Sequence, residues 1–313
     1  KGLSKIIDPK KKGNNLVKRD YMDKFNHFLQ CTKTRSKTIE KYLDNKRLTI
    51  NDSEGNLVCQ LTKDNLSIKY YYQSNKGRAH ALKKAIEIAE NDYSIIVDDD
   101  CYFLPDFLYK IQKFNNKNIY NTNIAGICYL REDIKGNLKG NKFSKNYLIT
   151  DLVTIRQKYK KKGEISEITK TNILKNNLYP SFEGEKRIST DCLWLSISED
   201  YKYIFINETI RVSEYADDGL SKNLRLYKIL SPKSSFYYEI CLLKNSKTDY
   251  TRKYLSILKS TRWFFSIKAN ERFKMIRTVP YRYCVQFTLF LIIGFVIYLT
   301  DLLFRLKTNQ KIR

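Results

Sequence analysis

Three consecutive aspartates, Asp98-Asp99-Asp100, close the short apolar run Ser94-Ile95-Ile96-Val97. Two carboxylates about 5 Å apart repel by roughly 3 kcal/mol at an effective dielectric near 20. A divalent cation with a phosphate on its far side turns that cost into a gain, and Mg²⁺ and Mn²⁺ favour such oxygen ligands. The plain alternative is a solvated acidic turn, with Asp106 helping to cap the helix that follows. The preceding elements favour a site. After Gly77, Ala79, Leu82, Ala85, Ile86 and Ala89 recur at helical spacing. Asn91 and Asp92 end that helix. The apolar run then suits a strand buried on both faces, as in a parallel sheet with helices on each side. Ligands of open α/β sheets gather at the carboxyl ends of strands, where these aspartates fall.

The 313 residues, 42% hydrophobic, leave room for one α/β domain of about 200–250 residues and an appendage. The formal net charge is +25, spread along the chain. Such a charge attracts polyanions. With no zinc-finger or RNA-binding signature, an anionic membrane surface is the expected partner, and no nucleic acid. Seven cysteines lie far apart without a CxxC pair, and there are two histidines, which argues against a Cys/His zinc site. The odd count and the lack of a leader-like segment point to a reducing cytosol. Each cysteine is expected as a small buried apolar residue.

Residues 1–15 form a basic lead, and residues 20–43 have a helical pattern. A short strand over 48–50 ends in Asn51-Asp52-Ser53-Glu54-Gly55. There Asp52 suits contact with a base or ribose, or is simply a turn aspartate. Alternation predicts a strand over 67–72. A helix is expected over 107–114, a strand over 124–130 and a loop over 133–140. Residues 144–175 read as mostly helical around the basic run 158–162, taken as a solvated face. A loop over 179–186 precedes a helix beginning at Asp191. A strand over 203–206 and a second acidic turn ending at Asn223 follow. Residues 226–273 are helical, basic and aromatic.

The C-terminal run 284–300 is free of charge. As one helix it spans about 25 Å, slightly short of a hydrocarbon core of about 30 Å. Its Leu, Ile, Val and Phe residues favour insertion by roughly 5 kcal/mol. Basic residues flank both ends, so the positive-inside rule fixes no orientation. Spanning, lying in the interface and burial in a core are the three alternatives, with membrane attachment favoured.

The ordered series LTINDSEGN, NKG, SIIVDDDCYFLPDFL, FEGEK, INETIRVSEY and DGLSKN resembles glycosyltransferase family 2, from about residue 49 to residue 223. The resemblance is to bacterial members that build capsule, lipopolysaccharide or other surface polysaccharide. It implies an α/β, GT-A-like fold: a Rossmann-related mixed sheet flanked by helices, here with a C-terminal helical extension and a membrane helix. The implied domains are the lead 1–15, a transferase domain 16–225 with its nucleotide-sugar half to about 130, the extension 226–282 and a membrane-associated helix 283–306.

Roles follow from the same resemblance. Asp52 contacts the nucleotide base. Asn75 and Gly77 form the glycine turn. Asp98 and Asp100 are the DxD pair that holds Mn²⁺ or Mg²⁺ on the nucleoside diphosphate. Asp191 is the catalytic base of an inverting enzyme, and Trp194 is the aromatic that follows it. Lys186 is read beside them as an acceptor-side residue.

The chemistry needs these residue types. The leaving diphosphate gains charge that a metal neutralises, and a carboxylate takes a proton from the attacking hydroxyl. The implied donor is a nucleoside-diphosphate sugar, most often a UDP-sugar. The acceptor is a glycan or a lipid-linked glycan, and the location is the cytoplasmic face of a bacterial cell membrane.

Three departures stand out. The family's first strand with its Pro-x-Tyr-Asn motif is not recognisable. Thr190-Asp191 replaces the usual Glu-Asp, leaving Glu185, Glu199 and Asp200 as rival bases. Lys259 stands where the processive QxxRW motif has Gln ahead of Arg262-Trp263, which implies a non-processive enzyme. The alternatives are a degenerate, non-catalytic nucleotide-sugar-binding protein anchored to a membrane and, further off, a nucleotidyltransferase.

Overall fold

The computed structural model describes residues 49–52, 57–63, 66–71, 76–98, 101–113, 117–213 and 224–311. The expected lead 1–15 and helix 20–43, together with Asn75, Asp99, Asp100 and the acidic turn 214–223, lie outside the described residues.

Strands β1 (Thr49–Asp52), β2 (Leu57–Lys63) and β3 (Leu66–Tyr71) form an antiparallel sheet in sequential order. The middle strand was not expected. Helix α1 (Arg78–Ile88) buries Ala79 and Ile86 from its apolar stripe. A second sheet follows, with strand order β4-β8-β6-β9-β5 and β7 paired on β9. In chain order it is built from β4 (Tyr93–Ile95), β5 (Cys101–Phe103), α2 (Phe107–Lys113), β6 (Ile124–Glu132), β7 (Leu148–Thr150), α3 (Leu152–Gln157), β8 (Ile165–Lys170), α4 (Thr171–Asn176), α5 (Asp191–Asp200) and β9 (Lys202–Ser213).

This sheet is mixed. β6 and β9 run parallel, and the other described pairs are antiparallel. β6 is its spine. Ala125, Cys128 and Leu130 join Leu193 and Ile197 of α5 in one core cluster. Ile124, Ile127 and Tyr129 join Ile204, Ile206 and Ile210 in another, with Phe107 and Ile111 of α2 packed on it. Both faces are therefore covered, and the strand reads as an unbroken apolar run.

Three expectations about this half are corrected. The run before the aspartates is not a strand buried on both faces in a parallel sheet. β4 is the edge of the described sheet, antiparallel to β8, so Ile95 and Ile96 are half-buried and Val97 is exposed. Residues 144–175 are not mostly helical, because β8 runs through them between β4 and β6. Its buried positions include Ser166 and Thr169, and the Thr169 hydroxyl meets the Tyr203 hydroxyl at 3.1 Å. Nor is the whole of 158–162 a solvated face. Lys161 is buried, its Nζ donates to the Lys162 carbonyl at 2.6 Å, and burial pushes its pKa down to about 8.

The helical extension comprises α6 (Leu224–Ile229), α7 (Pro232–Lys244), α8 (Tyr250–Ser266), α9 (Ala269–Ile276), α10 (Cys284–Leu289) and α11 (Leu291–Lys311). Phe236 and Ile240 of α7, Ile257 and Trp263 of α8, Met275 and Phe287 form its own core. Tyr237, Tyr238 and Cys241 of α7 also pack against the sheet's core, which joins the two parts.

The single membrane helix expected over 283–306 is instead a bent pair. Tyr281–Leu289 and Leu291–Leu306 meet at 65°, and among the described residues no single helix is long and apolar enough to cross a membrane. The bend has a local cause. The Phe290 carbonyl accepts both the Gly294 N–H at 2.8 Å and the Thr261 hydroxyl of α8 at 3.2 Å. At Gly294 the helices almost touch, since a Cβ there would lie 2.3 Å from Thr261 Oγ1. About two turns later Asp301, 1% exposed, accepts from Arg262 Nε, from Arg262 Nη2 at 2.6 Å and from Arg225 Nη2 at 3.1 Å.

Asp301→Ala leaves the guanidinium of Arg262 packed without its counter-charge, and breaking such a buried pair costs about 3 kcal/mol or more. Urea denaturation followed by circular dichroism is expected to show that loss. Asp301→Asn, which keeps an acceptor, is expected to lose less.

Candidate active site

The turn before α1 is fixed by a backbone contact. Gly77 has φ +91°, and a Cβ placed on it would lie 1.8 Å from the Lys186 carbonyl oxygen. Only glycine fits, both for its left-handed φ and for the approach. The turn is thereby laid against the loop 179–190. Tyr179, buried in the same loop, donates its hydroxyl to the Ala79 carbonyl at 3.1 Å and clasps the first turn of α1.

Each partner in that contact has a charged neighbour. Beside Gly77, Arg78 reaches Asp98 at the end of the β4 segment, with Nε at 2.9 Å and Nη2 at 2.5 Å from Oδ1. Both groups are partly exposed. Beside Lys186, Arg187 is half-buried. Burial pulls its pKa down, and the charge of nearby Asp191 opposes that shift. Contacts therefore link Asp98 through Arg78 and Gly77 to Lys186, and Arg187 beside it feels the charge of Asp191.

Asp191 opens α5. It is exposed, and Oδ2 accepts from the Ser189 hydroxyl at 2.9 Å. A carboxylate at a helix N-terminus is electrostatically favoured there. Two of its rivals are engaged elsewhere. Glu185 is buried and caps α7, accepting the N–H of Lys233 at 2.8 Å and of Ser234 at 2.7 Å. Burial raises its pKa and those hydrogen bonds hold it back. Glu199 accepts the Ser246 N–H at 2.9 Å. Asp200 is the exposed last residue of α5, at the end opposite Asp191.

Lys186 is exposed, and its backbone, not its ammonium, makes the contact with Gly77. Trp194 is half-buried and packs against the main core. Asp52 ends β1. Among the described residues no group of three or more His, Cys, Asp or Glu side chains is placed to hold a metal ion. Of the expected metal-holding pair Asp98 and Asp100 only Asp98 is described, with one oxygen already committed to Arg78. Its hard carboxylate oxygens suit Mg²⁺ or Mn²⁺.

Sequence reasoning missed Arg211. This β9 residue is fully buried and donates Nη1 to the Ile96 carbonyl at 2.6 Å, two residues before Asp98. Its Nε and Nη2 have no hydrogen-bond partner among the described residues. Burial lowers its pKa, and the charge of Arg131 adds to the effect. The available signal was an arginine inside the apolar run Ile210-Arg211-Val212.

Residues 51–178 match the family model described as Glycosyl transferase family 2. That stretch of the chain is similar to family 2 glycosyltransferases. The match encloses Asp52, Gly77, Asp98 and Asp100, and stops short of Lys186, Asp191 and Trp194. No curated protein matches the chain. A similar solved structure is the crystal structure of S. aureus TarS 1-349, with 15% identity over 67% of this chain and a TM-score of 0.40. The alignment spans 63% of that structure's length.

Two glycines near the candidate site, Gly77 and Gly184, separate the cost of backbone strain from that of a steric collision. Gly184 also has positive φ (+76°), but a Cβ there meets nothing within 4 Å. Gly184→Ala is therefore expected to cost about 1–2 kcal/mol. Gly77→Ala adds a collision with backbone and is expected to cost more in thermal unfolding and to abolish sugar transfer.

Proposed function

We propose that this chain transfers a sugar from a nucleoside-diphosphate sugar, a UDP-sugar foremost, to a hydroxyl of a glycan or lipid-linked acceptor in surface polysaccharide synthesis. The enzyme works with inversion and in single additions at the cytoplasmic face of a bacterial cell membrane, to which its C-terminal segment is attached. The observation that carries this reading is the contact between Gly77 and the Lys186 carbonyl. It lays the turn whose Arg78 holds Asp98, inside the matched stretch, against the loop that leads into α5, where Asp191 stands exposed.

In this reading Asp52 meets the base and Asn75 and Gly77 line the nucleotide. Asp98 and Asp100 would hold Mn²⁺ or Mg²⁺, which when bound offsets the charge gained by the leaving diphosphate. Arg78 orients Asp98. Arg211 holds the carbonyl of Ile96, two residues before Asp98. Asp191 takes the proton of the attacking hydroxyl, with the Ser189 hydroxyl bonded to its carboxylate. Trp194 and Lys186 face the acceptor.

A panel of nucleotide-sugars, read by ligand-induced thermal shift with and without Mn²⁺, is expected to give one metal-dependent stabilisation. Loss of a general base lowers rate by about 10²–10⁴-fold, so Asp191→Asn is expected to bind donor normally and to transfer at that reduced rate. Asp100→Asn is expected to lose the metal-dependent shift. Normal transfer by both variants would refute the assignments. Binding without any turnover on glycan or lipid-linked acceptors would favour the non-catalytic alternative.

The pH dependence of stability offers a check on the buried Lys161. Its folded pKa of about 8 lies below the ordinary lysine value of 10.5. Between those two values the unfolded chain binds more protons than the folded one, so stability rises with pH. Lys161→Met is expected to remove that rise in urea titrations between pH 8 and 10.5.

A further inference from the structure

The geometry points to in-plane docking: we propose that α10 and α11 lie flat in the surface of an anionic bilayer, with Ile292, Phe295, Val296, Leu299 and Leu303 immersed at the acyl boundary. The inference rests on the membrane attachment proposed above and is independent of the donor chemistry.

The two sides of α11 differ completely. One side is spoken for. Gly294 lies against Thr261, Asp301 is held by Arg262 and Arg225, and the Arg225 guanidinium stacks over the Phe304 ring at 4.3 Å. The other side is apolar and open to solvent, from Ile292 (78% exposed) to Leu306 (55%), and Val285 and Leu289 continue it onto α10. At 1.5 Å per residue that face is about 20 Å long. Contiguous apolar surface of this extent marks an interaction site.

Charge selects the occupant. Asp301 is the only acid from residue 281 to residue 313, and it is turned inward and neutralised. The same stretch holds Arg282, Arg305, Lys307, Lys311 and Arg313. Two copies of the face would bring like charges together. Anionic headgroups around an acyl interior complement it.

Packing selects the orientation. The 65° bend divides the apolar run, leaving α10 with 6 residues. The apolar part of α11 reaches about 20 Å, short of the roughly 30 Å a span needs. α8 lies along α11 and carries Arg252, Lys253, Lys259 and Arg262. Threading α11 through a bilayer would draw those charges into hydrocarbon or break the Asp301 pairing.

The test uses the full chain with vesicles of phosphatidylcholine alone and with one third phosphatidylglycerol. Binding is expected to be about tenfold tighter to the anionic vesicles and to weaken with salt. Ile292→Glu and Leu299→Glu, both at exposed positions, are expected to keep wild-type circular dichroism and to lose about tenfold or more in vesicle affinity. Depth is read by brominated-lipid quenching of tryptophans introduced by Ile292→Trp or Leu303→Trp, over the background of Trp194 and Trp263. Equal, shallow depths support in-plane docking. One position near the bilayer centre and the other at the interface would overturn it while leaving attachment intact. Failure to bind anionic vesicles, with or without a concentration-dependent dimer that covers the face, would overturn attachment and orientation together.

Discussion

The Lys186 carbonyl occupies the space that a side chain at residue 77 would fill. That close approach is made between backbone atoms, and the geometry of the candidate site depends on it. It sets the height at which α1 starts. From there Arg78 reaches Asp98, and Tyr179 bonds the Ala79 carbonyl in the first turn of the helix. A Cβ at residue 77 would push the loop off the helix and separate the acidic strand end from Asp191. Close packing makes such positions all-or-none.

Buried charge is a second theme, handled differently in the two halves. Under the strand end, Arg131 meets Glu164 at 2.9 Å and Glu167 at 3.9 Å. Arg211 beside them is left with two uncommitted N–H groups among the described residues. An incompletely satisfied buried cation is expensive, and here it underlies Asp98. In the helical extension, Asp301 is saturated by two arginines. The first arrangement has capacity left for another acceptor. The second is closed and serves to hold one helix on another.

The sequence revealed elements whose burial follows a simple period. α1, α2, α5 and β6 could be read because apolar residues repeat at 3.6 or run unbroken. β8 could not, since Glu167 and Thr169 meet partners across the sheet and Ser166 is buried, yet all three look polar in one dimension. The break in the C-terminal helix was equally hidden. No proline or glycine pair marks Phe290, and the hydroxyl that holds the bend belongs to Thr261 on another helix. At the site, the residue types of Asp98, Gly77 and Asp191 suggested roles, but their connection did not. Lys186 drew notice for its ammonium, whereas its carbonyl makes the contact. Glu185, a rival base by type, is a helix cap by position. Side-chain identity is legible in a sequence, and which atom of a residue is used is not.

Loops ordinarily tolerate insertions and deletions because few of their atoms are committed. The segment Glu185-Lys186-Arg187 is an exception. Its three successive residues have three different commitments: Glu185 caps α7, the Lys186 carbonyl meets the glycine turn, and Arg187 is half-buried in reach of the charge of Asp191. Removing or adding one residue here would shift all three at once. The carboxylate would leave the helix end, a different carbonyl would meet Gly77, and the guanidinium would leave its half-buried place. Its length is therefore as constrained as the register of a strand, although it has no regular secondary structure.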